Sequence, residues 1–244
     1  MQLFSQKKDI INFLSKYEIK HYRLIEDNQY GYVVNVDDDV QLYSSELTSI
    51  SVKFNIVEGS FFCFKNKLTT LYGSPHTVHE DFWCGRNLLT SLIHSPQKVG
   101  GEYDCSSNNL LSLDGCPQDI IYTFNCSNNK LTNLVGGPTE IGDYFSCTNN
   151  DLTSLKGIAH RILGDVYLYN NKLTTLNIQE LPIYMQPEHR INLKENCFPQ
   201  SFLDLNLEFI SLDELKKSLL VLDEKEKLNT KIIDEKSDKK IHKI

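Results

Sequence analysis

Hydrophobic residues recur along the middle of the chain at a fixed interval of 21 positions. One column of this repeat is aromatic in five copies; it consists of Phe61, Phe82, Tyr103, Phe124, Phe145 and then Val166. A second column, two positions later, consists of Cys63, Cys84, Cys105, Cys126, Cys147 and then Leu168. Further columns of β-branched residues, asparagine and leucine keep the same interval; they begin at Val57, Asn66, Leu68 and Leu71. Six columns in step predict an internal repeat in which each copy is one structural unit.

The order of residues within one copy predicts a short strand and an extended return segment. The alternation in Phe145-Ser146-Cys147 is typical of a half-buried strand, because successive side chains of a strand point to opposite faces. Gly115 and Pro117 mark a turn on the return segment, since glycine permits a positive φ and proline removes a backbone donor. We expect the inward columns to stack into one long core, in which neighbouring copies stabilise each other.

The consensus F-x-C-x-x-N-x-L-T-x-L-x-G-x-P-x-x-V resembles the leucine-rich repeat, with Phe/Tyr and Cys in the two strand leucine positions. This resemblance implies a solenoid of short 21-residue repeats with a parallel concave sheet and a non-helical convex side. A degenerate copy begins near Val40, and another, after a four-residue insertion, begins near Ile191. The repeats are therefore expected over residues 39–200.

Both ends of the chain depart from the repeat. Residues 1–38 are expected to form an N-terminal cap, with a helix that Ser5 could cap and two short strands around 19–26 and 30–36. Ser211 and Glu214 match a capping box, and leucines at helical spacing follow, so residues 201–228 are predicted to form a C-terminal capping helix. Residues 229–244 are rich in Lys, Asp and Glu and are expected to be a disordered tail.

Composition and charge exclude several classes of protein. With 25 Lys+Arg against 32 Asp+Glu, the net charge of −7 argues against a nucleic-acid partner, because clustered cations bind the phosphate backbone. No apolar run approaches the ~20 residues of a membrane span, and the first residues lack a Sec-type signal pattern. The cysteine column predicts reduced core thiols, which suit a cytosolic environment.

No motif predicts catalysis, a metal or a cofactor. His76 and His79 have H-x-x-H spacing, but no further ligand pattern completes a zinc site. Some bacterial leucine-rich-repeat effectors carry a ubiquitin ligase domain with a Cys-x-Asp loop, whereas Cys197 is followed here by Phe-Pro. We therefore expect a protein that is not an enzyme and that binds neither a metal nor a cofactor.

The register also predicts which side chains face outward on the concave sheet. Large aromatic residues occur at both ends of this sheet, with small polar residues between them. The N-terminal group consists of Tyr43, Phe62, Phe64 and Trp83; an acidic margin beside it consists of Asp81, Glu102 and Asp104; the C-terminal group consists of Tyr144, Tyr167 and Tyr169. Contiguous aromatics with a polar rim mark binding surfaces, so we expect at least one group to bind a protein partner. The alternative is that an end cap covers the N-terminal group.

The repeat also resembles leucine-rich repeats of bacterial and phage proteins, and the charged C-terminal segment is similar to signals of type IV secretion effectors. These resemblances imply an effector that is made in the bacterial cytoplasm, delivered into the host cytoplasm and bound there to a host protein. A monomer is expected. Two alternatives stay open: a phage-encoded inhibitor of a bacterial protein, and a glycan-binding module, since aromatic faces stack on sugars.

Overall fold

The computed structural model describes residues 3–204 and 209–241, and its centre is a β-solenoid with the predicted 21-residue turn. Each turn contributes one strand to each of two sheets, and side chains from both sheets form one cluster of buried hydrophobic residues. The predicted fold class is confirmed: a leucine-rich-repeat-like solenoid with a parallel sheet, in which residues 40–199 contain no α-helix.

We call the eight-stranded sheet that carries the aromatic and cysteine columns the front sheet. Its strands pair in parallel. They are β3 (Val40–Gln41), β5 (Phe61–Phe62), β7 (Phe82–Trp83), β9 (Tyr103–Asp104), β11 (Phe124–Asn125), β13 (Phe145–Ser146), β15 (Val166–Tyr167) and β17 (Ile191–Asn192).

The return segments form a second sheet of nine strands, the back sheet, which the sequence did not predict. Its pairs are parallel except for an antiparallel hairpin at the N-terminal edge. The strands are β1 (Tyr22–Asp27), β2 (Gly31–Val36), β4 (Phe54–Val57), β6 (Thr77–Val78), β8 (Lys98–Val99), β10 (Asp119–Ile120), β12 (Glu140–Ile141), β14 (Arg161–Ile162) and β16 (Tyr184–Met185).

Stacked columns fill the space between the two sheets, as predicted. The five column cysteines are free and fully buried, and burial raises the pKa of the Cys63 thiol above its usual range. Aromatic rings stack along the chain, with ring centroids 5.8 Å apart for Phe61 and Phe82 and 5.6 Å apart for Phe124 and Phe145. The hydroxyl group of Tyr103 lies 2.6 Å from Ser95 Oγ, so this buried polar group is satisfied.

The asparagine column connects neighbouring turns through backbone hydrogen bonds. Asn87 Nδ2 donates to the carbonyl oxygen of Cys84 in its own turn and to that of Cys63 in the preceding turn, both at 3.0 Å. Asn87 Oδ1 accepts the backbone N–H of Leu68, also at 3.0 Å. The structural role that the sequence predicts for these asparagines is confirmed.

A left-handed backbone conformation closes each turn immediately before this asparagine. The residues at that position have φ between 52° and 57°; they are Lys65, Arg86, Ser107, Asn128, Asn149, Asn170 and Glu195, together with Ser44, which precedes Ser45 at the asparagine position. Gly115, with φ of 94°, takes the same region on the return segment, where an added Cβ would lie 2.5 Å from Leu92 O. Glycine avoids both the conformational strain and the close contact there, although the equivalent position one turn earlier is His94, with φ of 72°.

The N-terminal segment matches its predicted elements but has no structural boundary at residue 38. Helix α1 (Lys7–Lys16) buries Ile10 and Leu14; its N-cap is Gln6, without a side-chain cap bond, so the expectation that Ser5 caps it is wrong. The predicted hairpin is β1 and β2. Because β2 pairs in parallel with β4, the cap and the repeats share the back sheet.

The C-terminal segment is helical over a longer range than predicted. A short 3-10 helix (Ile178–Glu180) fills the insertion, α2 (Gln200–Leu203) follows the last repeat, and α3 spans Leu212–Ile241. The capping box is confirmed, since Glu214 N donates to Ser211 Oγ at 3.3 Å and Ser211 N to Glu214 Oε2 at 3.2 Å.

Helix α3 continues past residue 228, where the sequence predicts that a disordered tail begins. Lys and Glu are good helix formers, and oppositely charged residues four apart support a helix, as in the 2.6 Å pair of Lys227 and Asp223. Residues 242–244 of that predicted tail lie outside the described residues. No helix in the described ranges is both long enough and apolar enough to cross a bilayer.

Candidate aromatic binding surface

The four predicted N-terminal aromatics form one cluster on the front sheet, here called the aromatic cluster (Tyr43, Phe62, Phe64 and Trp83). The rings of Tyr43 and Phe64 stack with centroids 4.9 Å apart. Trp83 completes the cluster, with its centroid 5.0 Å from Phe62 and 5.9 Å from Phe64. Parallel pairing of β5 with β7 places Phe62 beside Trp83, so the repeat register itself builds this contact.

The end cap does not bury the aromatic cluster. Tyr43 is 43% exposed, and the other three side chains are partly exposed. The Nζ atom of Lys65 lies 5.8 Å from the Phe64 ring centroid, which adds a cation at the edge of the cluster. The indole nitrogen of Trp83 is shielded from solvent and has no acceptor among the described residues. The cluster is thus a continuous apolar surface with an unpaired donor within it.

Two of the three residues of the acidic margin also hold the backbone. Asp81 Oδ1 accepts the N–H of Glu102 in the next turn at 2.8 Å. Asp104 Oδ1 accepts the N–H of Ser106 at 2.7 Å, which closes the bend after β9. Each carboxylate can still present its second oxygen to a partner, but neither is a freely mobile surface charge.

The third residue of the margin, Glu102, lies within a negative field. Partial burial raises the pKa of its carboxyl group, and the charges of Asp81, Asp104 and Asp143 raise it further. A cation or a hydrogen-bond donor from a partner would relieve this repulsion. The acidic margin therefore suits a positive or hydrogen-bond-donating group placed next to the aromatic cluster.

The C-terminal tyrosines form a smaller surface. The rings of Tyr144 and Tyr167 meet edge to face, with centroids 6.1 Å apart. Tyr167 Oη donates to Asp165 Oδ2 at 3.3 Å; partial burial and the Asp165 charge raise the pKa of Tyr167. Tyr169 is partly exposed in the adjacent column and makes no ring contact with the described residues. The structure therefore brings two of the three predicted tyrosines into contact.

The small polar residues between the two aromatic groups are less accessible than the register predicts. Ser127 and Thr148 are buried, although their columns are assigned to the surface. Their short side chains turn back onto the sheet: Ser127 Oγ lies 2.7 Å from Ser146 Oγ and accepts the N–H of Thr148 at 3.2 Å. These two positions stabilise the sheet and offer little to a partner.

The predicted loop histidines remain separate side chains. His79 Nδ1 lies 2.6 Å from Glu58 Oε2, and His76 Nδ1 lies 3.1 Å from Thr77 Oγ1. No group of three or more His, Cys, Asp or Glu side chains in the described part of the chain is arranged to hold a metal ion.

No protein-family model matches the chain, and no curated protein matches it. The fold is therefore identified by the 21-residue register together with the two sheets that it builds. Function has to be inferred from the surface, where the aromatic cluster is the largest group of mutually contacting, partly exposed rings described above.

Proposed function

We propose that the protein is a non-catalytic scaffold that binds a protein partner through the aromatic cluster on its front sheet. The observation that carries this proposal is the contact of four partly exposed rings, including the 4.9 Å stack of Tyr43 on Phe64. Trp and Tyr dominate the binding energy of protein interfaces, because they bury a large area at a small cost in conformational entropy.

The rigidity of the frame supports this role. The rings project from strands that are bonded to neighbouring turns, for example by the 2.9 Å bond from Cys63 N to Trp83 O. A preorganised surface loses little entropy on association, which favours affinity at a given contact area. The acidic margin contributes selectivity, since it favours partners with a basic rim around an apolar anchor.

We further propose that the partner is a host protein and that the chain is an effector delivered by type IV secretion. The resemblance of the repeat to bacterial leucine-rich repeats, and the Lys/Glu-rich C-terminal segment, support this proposal. A phage-encoded inhibitor of a bacterial protein is the competing role.

Partner capture tests the binding surface. The immobilised chain is exposed to host-cell lysate beside the double variant Phe62→Ala/Trp83→Ala and a control, Tyr122→Ala. Tyr122 is 55% exposed and lies outside the cluster, so it controls for the loss of any surface aromatic. We expect one saturable partner that the wild type and Tyr122→Ala retain and the double variant loses at least tenfold. Equal capture by all three proteins would refute a role for the cluster.

Delivery is tested separately with a reporter protein fused to residues 212–244. Translocation of the reporter into host cells in a type IV-dependent manner is expected. A reporter that stays in the bacterium, together with capture of a bacterial protein by the same cluster, would favour the competing role as an inhibitor.

A further inference from the structure

The N-terminal end of the front sheet is an open strand edge. The carbonyl groups of Ser60, which immediately precedes β5, and of Phe62 accept the N–H groups of Val40 and Leu42 in the preceding turn, at 2.9 and 2.7 Å. Strand β3 is the first strand of the front sheet and has no preceding partner. By the 21-residue register, the carbonyls of Asp39 and Gln41, and the N–H of Gln41, therefore point away from β5. No described residue bonds these three backbone groups.

The other end of the front sheet is closed by the chain itself. At the far end of the front sheet, Ile191 and Ile210 exchange backbone bonds of 2.8 and 3.2 Å. The back sheet ends in β1 on one side and β16 on the other, and neither of these strands pairs with a further strand among the described residues. Natural sheets protect their edges, because unpaired backbone groups are templates for another strand. Within the front sheet, β3 is thus the end whose outward backbone groups no described residue pairs.

A cleft separates β3 from residues 19–21, the segment that the 21-residue register would place beside it. Residues 19–21 lie 21 positions before Val40–Leu42 but form their bonds elsewhere: Ile19 N donates to Leu14 O, and His21 O accepts from Asp37 N. The open space has a volume of about 570 Å³ and is lined on one side by residues 16–21 and on the other by Asp39, Gln41 and Tyr43. This volume lies within the range of binding clefts.

We propose that an extended peptide segment of the protein partner adds to β3 as one more parallel strand. A peptide residue p would donate its N–H to Asp39 O and accept the N–H of Gln41, and residue p+2 would donate to Gln41 O. These bonds repeat the pattern by which β3 itself pairs with β5. Strand addition of this kind takes its affinity from main-chain bonds and its specificity from alternate side chains.

The register also specifies the side chain that the peptide brings to the aromatic cluster. Residue p+3 lies beside Tyr43 on the outer face, and the Tyr43 ring is already stacked on Phe64. An aromatic or large aliphatic residue at p+3 extends the cluster by one more position. This mode of binding rests on the proposed function, because it assigns the partner's segment to the same surface.

The test uses linear peptides displayed on phage and selected on the full chain, with dissociation constants then measured for the synthetic peptides. Gln41→Pro removes the outward N–H, whereas the matched control Gln41→Ala keeps it. We expect Gln41→Pro to weaken binding at least tenfold and Gln41→Ala less than twofold. N-methylation of the peptide backbone at p and p+2 is expected to abolish binding, and N-methylation at p+1 and p+3 to leave it intact.

Each outcome separates this mode of binding from the proposed function. If no linear peptide is selected, or if selected peptides bind Gln41→Pro as tightly as wild type, strand addition is refuted. Loss of the captured partner by Phe62→Ala/Trp83→Ala but not by Gln41→Pro would likewise refute strand addition while supporting the aromatic cluster. The N-methylation series uses the wild-type chain and stays decisive even if Gln41→Pro does not fold.

Discussion

The Oδ1 atom of Asp81 accepts a hydrogen bond of 2.8 Å from the backbone N–H of Glu102, one turn further along the solenoid. The same bond recurs between Asp39 and Ser60 at 2.8 Å, and between Asp165 and Arg190 at 2.8 Å across the insertion. These aspartates connect adjacent turns immediately before the strands of the front sheet. The acidic margin of the candidate binding surface is therefore also part of the backbone frame that holds that surface.

Replacing Asp81 should separate the contribution of its hydrogen bond from that of its charge. Asp81→Ala removes the acceptor for the Glu102 N–H and is expected to lower the free energy of unfolding by about 1–2 kcal/mol. Asp81→Asn retains an Oδ1 acceptor and should lose less than half as much. Urea unfolding followed by the fluorescence of Trp83, the one tryptophan of the chain, measures both variants. Unfolding of Asp81→Ala at the wild-type urea concentration would contradict the stabilising role.

Asn129→Leu should destabilise the middle of the solenoid. Asn129 Nδ2 donates to Cys126 O at 3.0 Å and to Cys105 O at 3.2 Å, and its Oδ1 accepts the Leu110 N–H at 3.0 Å. Leucine leaves these buried backbone groups unpaired, at a cost of about 1–3 kcal/mol for each group. The neighbouring change Asn128→Gly is the control, because glycine adopts the φ of 57° found there. An unchanged melting temperature for Asn129→Leu would contradict the role of the asparagine column.

Replacing Arg86 by asparagine should increase the stability of the folded protein. Its φ of 54° lies in the left-handed region, which arginine adopts at a cost and asparagine tolerates. Arg86→Asn is expected to raise the free energy of unfolding by roughly 0.5–1 kcal/mol, and Arg86→Val, with a β-branched side chain, to lower it. Calorimetry measures the melting temperatures of the two variants. A higher melting temperature for Arg86→Val than for Arg86→Asn would refute the prediction.

Glu102→Gln should stabilise the protein at neutral pH. The pKa of Glu102 is raised in the folded state, by burial first and then by Asp81 and Asp104, so the folded protein binds this proton more tightly than the unfolded chain. The resulting stability is fully present below the ordinary pKa of 4.5 and is lost as the pH rises through the higher folded value.

The advantage of Glu102→Gln should therefore be largest near neutral pH and disappear below pH 4.5. Because Glu102 is partly exposed, added salt should reduce the difference. Melting temperatures across pH, at low and high salt, provide the measurement. If Glu102→Gln and the wild type had the same melting temperature at every pH, the predicted destabilisation by the Glu102 carboxylate would be refuted.

The sequence predicts the parts of the fold that depend on side-chain chemistry repeated in register. The burial of Cys105 and the backbone bonds of Asn108 follow from their columns. The left-handed residue before each asparagine is harder to predict, because Lys65, Arg86 and Ser107 are not typical of that conformation. Its signal is the Asn-Asn pair in the later repeats, since asparagine tolerates positive φ.

For the candidate surface, the 21-residue register predicts which side chains are neighbours but not how each side chain is oriented. It places Phe62 beside Trp83 correctly, because paired strands keep the 21-residue offset. It does not predict that Ser127 folds back onto the sheet, or that Asp81 bonds the next turn, since both depend on local side-chain rotamers. It also misses the open edge of β3, which arises because residues 19–21 bond within the N-terminal segment.

The constant rise per turn of the solenoid sets the distance between its two exposed aromatic groups. The aromatic cluster ends at β7, and the contacting tyrosines Tyr144 and Tyr167 lie next to β13 and in β15, so the turns that carry β9 and β11 separate the two candidate binding surfaces. Each complete turn adds about 4.8 Å along the axis. Deletion or duplication of one 21-residue repeat would therefore change the distance between the two surfaces by one turn and leave each surface intact. Under the proposed function, the number of repeats between the two surfaces sets the distance that one partner has to span.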